Sequence, residues 1–353
     1  MQRRNFLRNI GTGSIALSLT TFISPFQSSY ATEINNGKSL LLPKHLSEGD
    51  TIGIISPSSA IFESEPYEIA VETFQAMGLK VKLGKFVSTR YGHLAGTDEE
   101  RAQELNDMFK DPEVNAIIAL RGGSGAARIL DKIDYEAIKK NPKIFIGYSD
   151  ITALHMAIYS QTGLITFHGP LAVSTWNEFS YSIFRKIIFN AEAIQLTNPS
   201  DKGDNLVQVT NRVRTISSGK ASGVLVGGNL SVLTGIMGSK YLPDWENKIL
   251  FLEDVGEKIY AVDRMMSQLQ LGGILDKISG VVFGKCTECD PGDGYGSLTL
   301  EEVLDHYITP LNVPAFSGAM FGHISDNSTL ANGIEVEIDA DKGTIQMLSA
   351  AVK

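Results

Sequence analysis

The sequence predicts an α/β protein whose first part is a parallel sheet covered by helices. Apolar runs typical of buried strands alternate with helical stretches over about 130 residues, which is the pattern of repeated βαβ units. The chain has 353 residues, 43% apolar and 20% charged, enough to build a sizeable core in one large domain or two. Its 34 glycines against 12 prolines fit an enzyme with many tight turns, not a low-complexity chain.

The first region, residues 46–190, carries this alternation. Thr97 and Glu100 form a capping box, which predicts a helix that ends near Asp111. The predicted strands are residues 50–56, 80–87, 115–120, 143–147 and 165–168, and the other predicted helices are residues 65–77, 126–133 and 150–161. Strands joined by helices in this order pair in parallel, so we expect both faces of the sheet to be covered.

A change of composition marks the end of that region. Residues 191–218 are dominated by Asn, Asp, Gly, Lys and Thr, which predicts a linker between domains with room for a strand or two. The second domain is expected at residues 219–353. Its predicted elements are strands at 248–253 and 278–283, a helix at 262–271, and a terminal hairpin formed by 335–339 and 344–347.

Residues 1–31 have the features of a secretory signal peptide. Three arginines, including the pair Arg3 and Arg4, precede a short apolar stretch that ends in a small-x-small site from Ser29 to Ala31. The paired arginines resemble the twin-arginine export motif. An uncleaved anchor is the alternative, but the stretch is short and weakly apolar for a hydrocarbon layer of about 30 Å. We therefore expect export, with no stable membrane insertion after cleavage.

The net charge excludes several classes of partner. The whole chain carries 31 − 40 = −9, and loss of the three arginines of the signal leaves 28 − 40 = −12. An acidic protein of this kind is a poor ligand for nucleic acid or anionic lipid. The six histidines include no pair with the spacing of metal ligands, so no metal site is predicted.

Two neighbouring turns are candidates for nucleophilic chemistry. The glycine-rich turn at residues 121–125 directs backbone N–H groups toward one point, which suits an anion or an oxyanion, although a plain tight turn explains it equally well. Ser149 lies between a predicted strand and helix, as in a nucleophile elbow, but could equally cap that helix. Ser124, in the pattern Gly-Gly-Ser-Gly-Ala, is a rival nucleophile. The pattern alone leaves this choice open.

The remaining candidates are acids, a histidine and a cysteine pair. Glu253 and Asp254 close an apolar strand, where a carboxylate is costly unless it is paired, and either acid could orient a histidine. His323 follows a glycine at the end of an apolar run, although a lone histidine is more often structural. Cys286 and Cys289 lead into a loop and not into a helix, which favours a structural disulfide or two idle thiols over a redox centre.

Seven short motifs follow one another over about residues 49–348. They are residues 121–125 (Arg-Gly-Gly-Ser-Gly), 146–154 (Ile-Gly-Tyr-Ser-Asp-Ile-Thr-Ala-Leu), 166–170 (Thr-Phe-His-Gly-Pro), 226–230 (Val-Gly-Gly-Asn-Leu), 251–254 (Phe-Leu-Glu-Asp), 262–265 (Val-Asp-Arg-Met) and 321–323 (Phe-Gly-His). Each is weak alone, but in this order they resemble the LD-carboxypeptidases. That family includes muramoyl-tetrapeptide carboxypeptidases and the microcin C self-immunity peptidase.

The resemblance implies a serine peptidase with a Ser-Glu-His triad and no cofactor. Ser149 matches the family's nucleophile, Glu253 its acid and His323 its base, while the oxyanion is expected between the N–H groups of Gly123 and Asp150. It also implies a flavodoxin-like N-terminal domain that carries the nucleophile and a swivelling β/β/α C-terminal domain that carries its partners. Homodimers are usual in the family.

The implied substrate is a peptidoglycan stem peptide, from which the enzyme removes a terminal D-alanine. Arg121 is a candidate ligand for the departing carboxylate, and Ser124, where many relatives have tyrosine, makes one pocket wall smaller or more polar. The predicted export signal makes the periplasm the expected location. The alternatives are a microcin-C-like peptidase that cuts a peptidyl-nucleotide or acyl-sulfamate amide, a catalytically silent muropeptide-binding protein, and a redox protein that uses Cys286 and Cys289.

Overall fold

The computed structural model describes residues 40–291 and 296–353. The predicted signal peptide at residues 1–31 lies outside the described residues. In the part of the chain that is described, no helix is both long and apolar enough to cross a membrane.

The described chain contains two sheets and eight α-helices. The strands are β1 (Thr51–Ile55), β2 (Lys80–Leu83), β3 (Ala116–Ala119), β4 (Ile144–Gly147), β5 (Thr166–His168), β6 (Gln195–Leu196), β7 (Arg214–Ser217), β8 (Lys220–Asn229), β9 (Lys248–Val255), β10 (Gly280–Thr287), β11 (Ala315–Ser317), β12 (Leu330–Asn332), β13 (Glu335–Asp339) and β14 (Thr344–Met347). The α-helices are α1 (Glu65–Ala76), α2 (Asp98–Lys110), α3 (Tyr135–Lys140), α4 (Thr152–Thr162), α5 (Glu178–Ile188), α6 (Leu230–Gly235), α7 (Ile259–Leu271) and α8 (Leu300–Ile308). Short 3₁₀ helices occupy Ala126–Lys132, Ser149–Ile151 and Thr309–Leu311.

The first sheet has the strand order β12-β5-β4-β3-β1-β2. Strands β1 to β5 pair in parallel in the order 2-1-3-4-5, which is that of flavodoxin-like folds, with the switch point between β1 and β3. The strands β1, β3, β4 and β5 are buried almost throughout because helices cover both faces. Strand β12 adds an antiparallel edge beside β5. The predicted flavodoxin-like parallel sheet is confirmed.

The second sheet has eight strands in the order β6-β14-β13-β8-β9-β10-β11-β7. Its centre, β8 to β11, is parallel, and the remaining strands pair with antiparallel neighbours. The predicted terminal hairpin is confirmed as β13 and β14. The predicted linker, residues 191–218, contains β6 and β7, which lie at the two edges of this sheet.

Several of the predicted elements differ from the structure in their bounds or type. Strand β2 ends at Leu83 and not at residue 87, because the buried carboxylate of Glu104 accepts the Phe86 N–H at 2.6 Å and draws the chain away from the sheet. The predicted helix 126–133 is the 3₁₀ helix Ala126–Lys132, and the predicted helix 150–161 opens with a 3₁₀ turn before α4 begins. The predicted capping box is confirmed, with both of its hydrogen bonds present.

Candidate active site

The carboxyl ends of β1, β3, β4 and β5 surround a cavity of about 710 Å³. This position, at the switch point of an open parallel sheet, is where such folds bind ligands. The loops that follow the four strands and the loop that follows β11 supply its walls. The lining residues are Ile61, Glu63, Pro66, Arg121, Gly122, Gly123, Tyr148, Ser149, Leu171, Val173, Ser174, Thr175, His323, Ile324 and Ser325.

Ser149 is placed on a sharp turn between β4 and α4. Its backbone has φ 65°, a left-handed conformation that a residue with a side chain adopts at a cost of about 1–2 kcal/mol. The turn places Ser149 in the cavity wall above the end of the sheet. The alternative role as a helix cap is wrong, because Ile151 precedes α4 and no side chain caps that helix. Ser149 therefore has the geometry of a nucleophile elbow.

His323 is held by the buried carboxylate of Glu253. The Nδ1 atom of His323 lies 2.8 Å from Glu253 Oε2, and the Glu253 side chain is fully buried near the end of β9. Gly322, with φ 118°, precedes the histidine, and a Cβ there would lie 3.0 Å from Glu253 Oε2. The glycine therefore permits the close approach that joins the two side chains. The pair leaves Nε2 as the ring nitrogen that is available on the cavity side.

Tyr148 packs against the histidine from the nucleophile's own turn. The two rings meet edge-on with centroids 4.8 Å apart. Burial and the nearby charge of Glu253 raise the pKa of the Tyr148 phenol, so it stays neutral. The ring lines the cavity beside Ser149 and limits how far the imidazole of His323 can turn.

The glycine-rich loop after β3 contacts the nucleophile directly. A Cβ on Gly122 would lie 2.9 Å from Ser149 Cβ and 3.0 Å from its Oγ, so only glycine leaves room for this approach. Gly123 has φ 118°, and a Cβ there would meet Ser59 Oγ at 2.2 Å. Both glycines line the cavity, which puts this loop beside Ser149 as an oxyanion loop requires.

Asp150 joins the loops on either side of the nucleophile. Its buried carboxylate accepts hydrogen bonds from Ser58 Oγ, in the loop after β1, and from the Ala126 N–H, after the glycine-rich turn. The side chain of Asp150 is therefore occupied by the scaffold, and only its backbone N–H is left for the predicted role in oxyanion binding.

Arg101 on α2 supports the same two loops from below. Its fully buried guanidinium donates to the carbonyl oxygens of Pro57 at 2.6 Å and Gly125 at 2.8 Å, and it pairs with Asp98. A buried guanidinium is stable only when it is paired in this way. Sequence analysis missed this residue, because an arginine that follows three acidic residues in the first turn of a helix has the pattern of a surface position.

The two predicted substrate-binding residues have different surroundings. Arg121 lines the cavity, and its Nη1 donates to the Ala60 carbonyl at 3.2 Å, which leaves its other donors free to face a ligand. Ser124 is exposed, its N–H donates to Ser59 Oγ at 3.0 Å, and it is absent from the described lining of the cavity. The rival nucleophile therefore lies outside the cavity that holds Ser149.

Asp254 points away from the histidine. Its carboxylate accepts from Asn229 Nδ2 at 3.0 Å and from the Ser231 N–H at 2.8 Å, so it anchors the start of α6 to β9. Burial, together with the charge of Glu253, raises the pKa of Asp254 to about 6. Of the two acids that close β9, the structure places only Glu253 against His323.

Two other histidines are buried beneath the site. His155 lies on α4, with Nε2 2.8 Å from the Gly147 carbonyl, and burial lowers its pKa to about 4. His168 ends β5, and burial, with the charges of His155 and His323, lowers its pKa well below the usual value. Both are packing residues whose burial disfavours the charged form.

Comparison with known proteins places the chain in a family. The family model of the LD-carboxypeptidase N-terminal domain matches residues 52–169, and the family model of the LD-carboxypeptidase C-terminal domain matches residues 222–338. The chain is 39% identical over 310 residues to the "Probable murein peptide carboxypeptidase" of Bacillus subtilis (strain 168), an alignment that covers 86% of this chain and 92% of that protein.

Solved structures of LD-carboxypeptidase relatives resemble this chain over most of its length. The structure of MccF in complex with glutamyl sulfamoyl guanosine superposes with a TM-score of 0.80 at 33% identity, and covers 89% of this chain and 100% of that one. The muramoyltetrapeptide carboxypeptidase from Oxalobacter formigenes has a TM-score of 0.72 at 28% identity, with 84% and 97% covered. The chain belongs to the LD-carboxypeptidase family, and it is therefore a serine peptidase of the carboxypeptidase type.

Proposed function

We propose that this enzyme removes the terminal D-alanine from peptidoglycan tetrapeptides with Ser149, Glu253 and His323 as its catalytic triad. The observation that carries the proposal is the hydrogen bond of 2.8 Å between His323 Nδ1 and Glu253 Oε2, with His323 and Ser149 in the wall of one cavity. A buried acid that fixes one imidazole nitrogen leaves the other to serve as a general base.

The proposed reaction has two steps. Ser149 Oγ attacks the carbonyl carbon of the amide between the diamino acid and D-alanine, while His323 Nε2 takes the hydroxyl proton. The C–N bond then breaks, and the amine of D-alanine leaves with that proton. Water, deprotonated by His323, hydrolyses the acyl ester on Ser149. Glu253, bonded to Nδ1, stabilises the imidazolium that forms.

The oxyanion is bound by backbone groups on the two sides of the nucleophile. We assign this role to the N–H groups of Gly123 and Asp150, because the glycine-rich loop contacts Ser149 and the Asp150 side chain is held elsewhere. To Arg121, in the same cavity wall, we assign the binding of the carboxylate of the departing D-alanine, because a guanidinium pairs well with a carboxylate. This contact would make the enzyme selective for the C-terminal residue of a peptide, since only that residue carries a free α-carboxylate.

The test is mass spectrometry of a disaccharide tetrapeptide incubated with the protein and with two variants. Ser149→Ala should abolish the loss of one alanine, with a fall in kcat on the scale of ~10⁶. Ser124→Ala is the matched control, since this exposed serine lies outside the cavity lining, and it should release D-alanine at the wild-type rate. Residual turnover near wild type in Ser149→Ala would refute the assigned nucleophile.

A second candidate substrate is the amide of a peptidyl-nucleotide or an acyl sulfamate. It is favoured by the similarity to MccF, whose structure was solved with glutamyl sulfamoyl guanosine. The same triad would cleave such an amide by the same chemistry. If the wild type releases no D-alanine, hydrolysis of an aminoacyl sulfamoyl nucleoside by the wild type but not by Ser149→Ala would support this alternative.

We also infer that the enzyme acts in the periplasm after removal of residues 1–31. The support is the charged, apolar and small-residue order of that segment, with Arg3 and Arg4 at its start. N-terminal sequencing of the protein recovered from the periplasm should begin after Ala31. Replacement of both arginines by lysine should leave the protein in the cytoplasm, since the twin-arginine pathway requires the pair.

A further inference from the structure

The cysteine pair lies next to the catalytic strand. Cys286 and Cys289 form a disulfide at the end of β10. Cys286 pairs in register with Asp254 on β9, and Asp254 is the residue that follows Glu253. The proposed mechanism gives this disulfide no task. A cross-link so close to the acid of the triad therefore needs its own explanation.

Thr287, the first residue inside the disulfide loop, contacts the backbone of the catalytic histidine. Its Oγ1 hydroxyl donates to the His323 carbonyl at 2.9 Å. Its own carbonyl accepts the Gly256 N–H at 2.9 Å, which ties it to the end of β9. Thr287 thus connects the strand that carries Glu253 with the loop that carries His323.

The histidine loop depends on such anchors because its own backbone is permissive. Gly322, with φ 118°, allows the chain many conformations, and its N–H is fixed by Asn327 Oδ1 at 3.2 Å. The hydroxyl of Thr287 fixes the carbonyl one residue later. Glu253 then holds the imidazole ring itself at Nδ1.

The disulfide keeps Thr287 in place through an unfavourable turn. Glu288, the second residue inside the loop, has φ 57°, a left-handed conformation that is costly for a glutamate. The covalent link between Cys286 and Cys289 closes the chain around this turn. Breaking the link removes the covalent constraint on this turn and leaves Thr287 held by its contacts with β9 and His323 alone.

We propose that Thr287 is a positioning residue for His323 and that the Cys286–Cys289 disulfide holds it in position. The inference rests on the proposed triad, and it makes turnover sensitive to reduction. An external dithiol such as dithiothreitol supplies two electrons and two protons, which convert the disulfide to two thiols while the reagent becomes a cyclic disulfide.

The first experiment compares three threonine variants under oxidising conditions. Thr287→Val removes the hydroxyl at similar volume and should lower kcat about 10- to 100-fold with KM within about twofold, because a shift of about 1 Å in a catalytic group costs about 100-fold. Thr287→Ser keeps the donor and should restore kcat to within about threefold of wild type. Thr215→Val, on β7, loses an equivalent 2.9 Å hydrogen bond to the Ala340 carbonyl and should leave kcat unchanged.

The second experiment tests whether the disulfide acts through Thr287. Reduction should lower the kcat of the wild type roughly fivefold, as a displacement of less than 1 Å would, and Cys286→Ser with Cys289→Ser should reproduce that loss without reductant. Thr287→Val should show no additional loss on reduction, because the contact is already gone. Equal effects of reduction in both backgrounds would overturn the proposed link.

A probe of the serine separates this proposal from the assigned substrate. The rate at which a fluorophosphonate labels Ser149 depends on His323 as base but not on any peptide. Slower labelling of Thr287→Val than of the wild type, at unchanged melting temperature, supports the positioning role even if no D-alanine is released from muropeptides. Equal labelling rates would refute it whatever the true substrate is.

Discussion

The contact between Gly122 and the nucleophile predicts a large loss of activity from the addition of one methyl group. In Gly122→Ala the new Cβ would stand 2.9 Å from Ser149 Cβ and 3.0 Å from Ser149 Oγ. Carbon atoms in contact prefer about 3.5–4.0 Å, so the loop and the serine must separate by about 0.5–1 Å. Gly122 does not have a left-handed φ, so alanine adds a clash but no backbone strain.

The clash should reduce turnover far more than stability. The loop is held from below by Arg101 and Asp150, so much of the shift falls on the Ser149 hydroxyl and on the N–H groups proposed to bind the oxyanion. A misplacement of about 1 Å costs about 100-fold in rate, which corresponds to about 2.7 kcal/mol in activation free energy. The expected result is a kcat lowered about 100-fold in a folded protein.

The assay measures D-alanine release and fluorophosphonate labelling of Ser149, with thermal unfolding to confirm the fold. Gly235→Ala is the matched control, because the added Cβ would have no atom within 4 Å apart from its chain neighbours and the backbone of its own helix, and it should keep full activity. As the last residue of α6 it should gain up to about 1 kcal/mol in stability. A Gly122→Ala protein with kcat within threefold of wild type would refute the steric argument.

Three further predictions follow from the buried polar groups around the site. Glu253→Gln should lower kcat by about 10⁴, since the amide no longer stabilises the imidazolium or selects its tautomer. Arg101→Lys should lower the free energy of unfolding by about 3 kcal/mol, since Nη1 binds the two carbonyls and Nη2 binds Asp98, and the single nitrogen of lysine cannot take both positions. Arg128→Lys, on the exposed side of the same aspartate, should have little effect. His168→Phe should make the free energy of unfolding less sensitive to acid. Burial lowers the pKa of His168 in the folded state, so below pH ~6.5 the unfolded chain takes up a proton that the folded protein does not. The wild type should therefore lose about 1.4 kcal/mol of stability per pH unit as the pH falls, and the variant should lack this loss.

Each of these is checked by one measurement. Steady-state turnover tests Glu253→Gln, and activity within tenfold of wild type would contradict the triad. Urea unfolding at neutral pH tests Arg101→Lys against Arg128→Lys, and equal losses would contradict the role of the buried guanidinium. Urea unfolding between pH 5 and 7 tests His168→Phe, and an unchanged slope of stability against pH would show that this histidine takes up its proton in the folded state.

Local patterns in the sequence were enough to predict most of the first sheet. The apolar runs around Thr51–Ile55 and Ile144–Gly147 and the capping box at Thr97 specify elements through interactions between near neighbours, so periodicity and caps suffice. Strand β2 was predicted too long because its end is set by Glu104, which lies on another element. A strand boundary of this kind depends on a contact that no local pattern contains.

The choice between the two candidate serines also depended on contacts that no local pattern contains. Pattern matching gave Ser124 and Ser149 comparable standing, and the resemblance to the family favoured Ser149. The structure separates them physically, because Ser149 has φ 65° and lines the cavity, whereas Ser124 is exposed and outside it. The structure separates the two acids of β9 in the same way. Successive side chains on a strand face opposite sides, so Glu253 contacts His323 and Asp254 contacts Asn229.

The sequence by itself determined the residue types of the site, the order of the strands along the chain and the glycines that permit close approach. Only the tertiary structure shows the 2.8 Å contact between Glu253 and His323, the support of the glycine-rich loop by Arg101, and the hydrogen bond from Thr287 to the backbone of His323. The physical reason is that these contacts join residues from different sheets and loops. Their partners are selected by how whole elements pack, and local propensity carries no record of that packing.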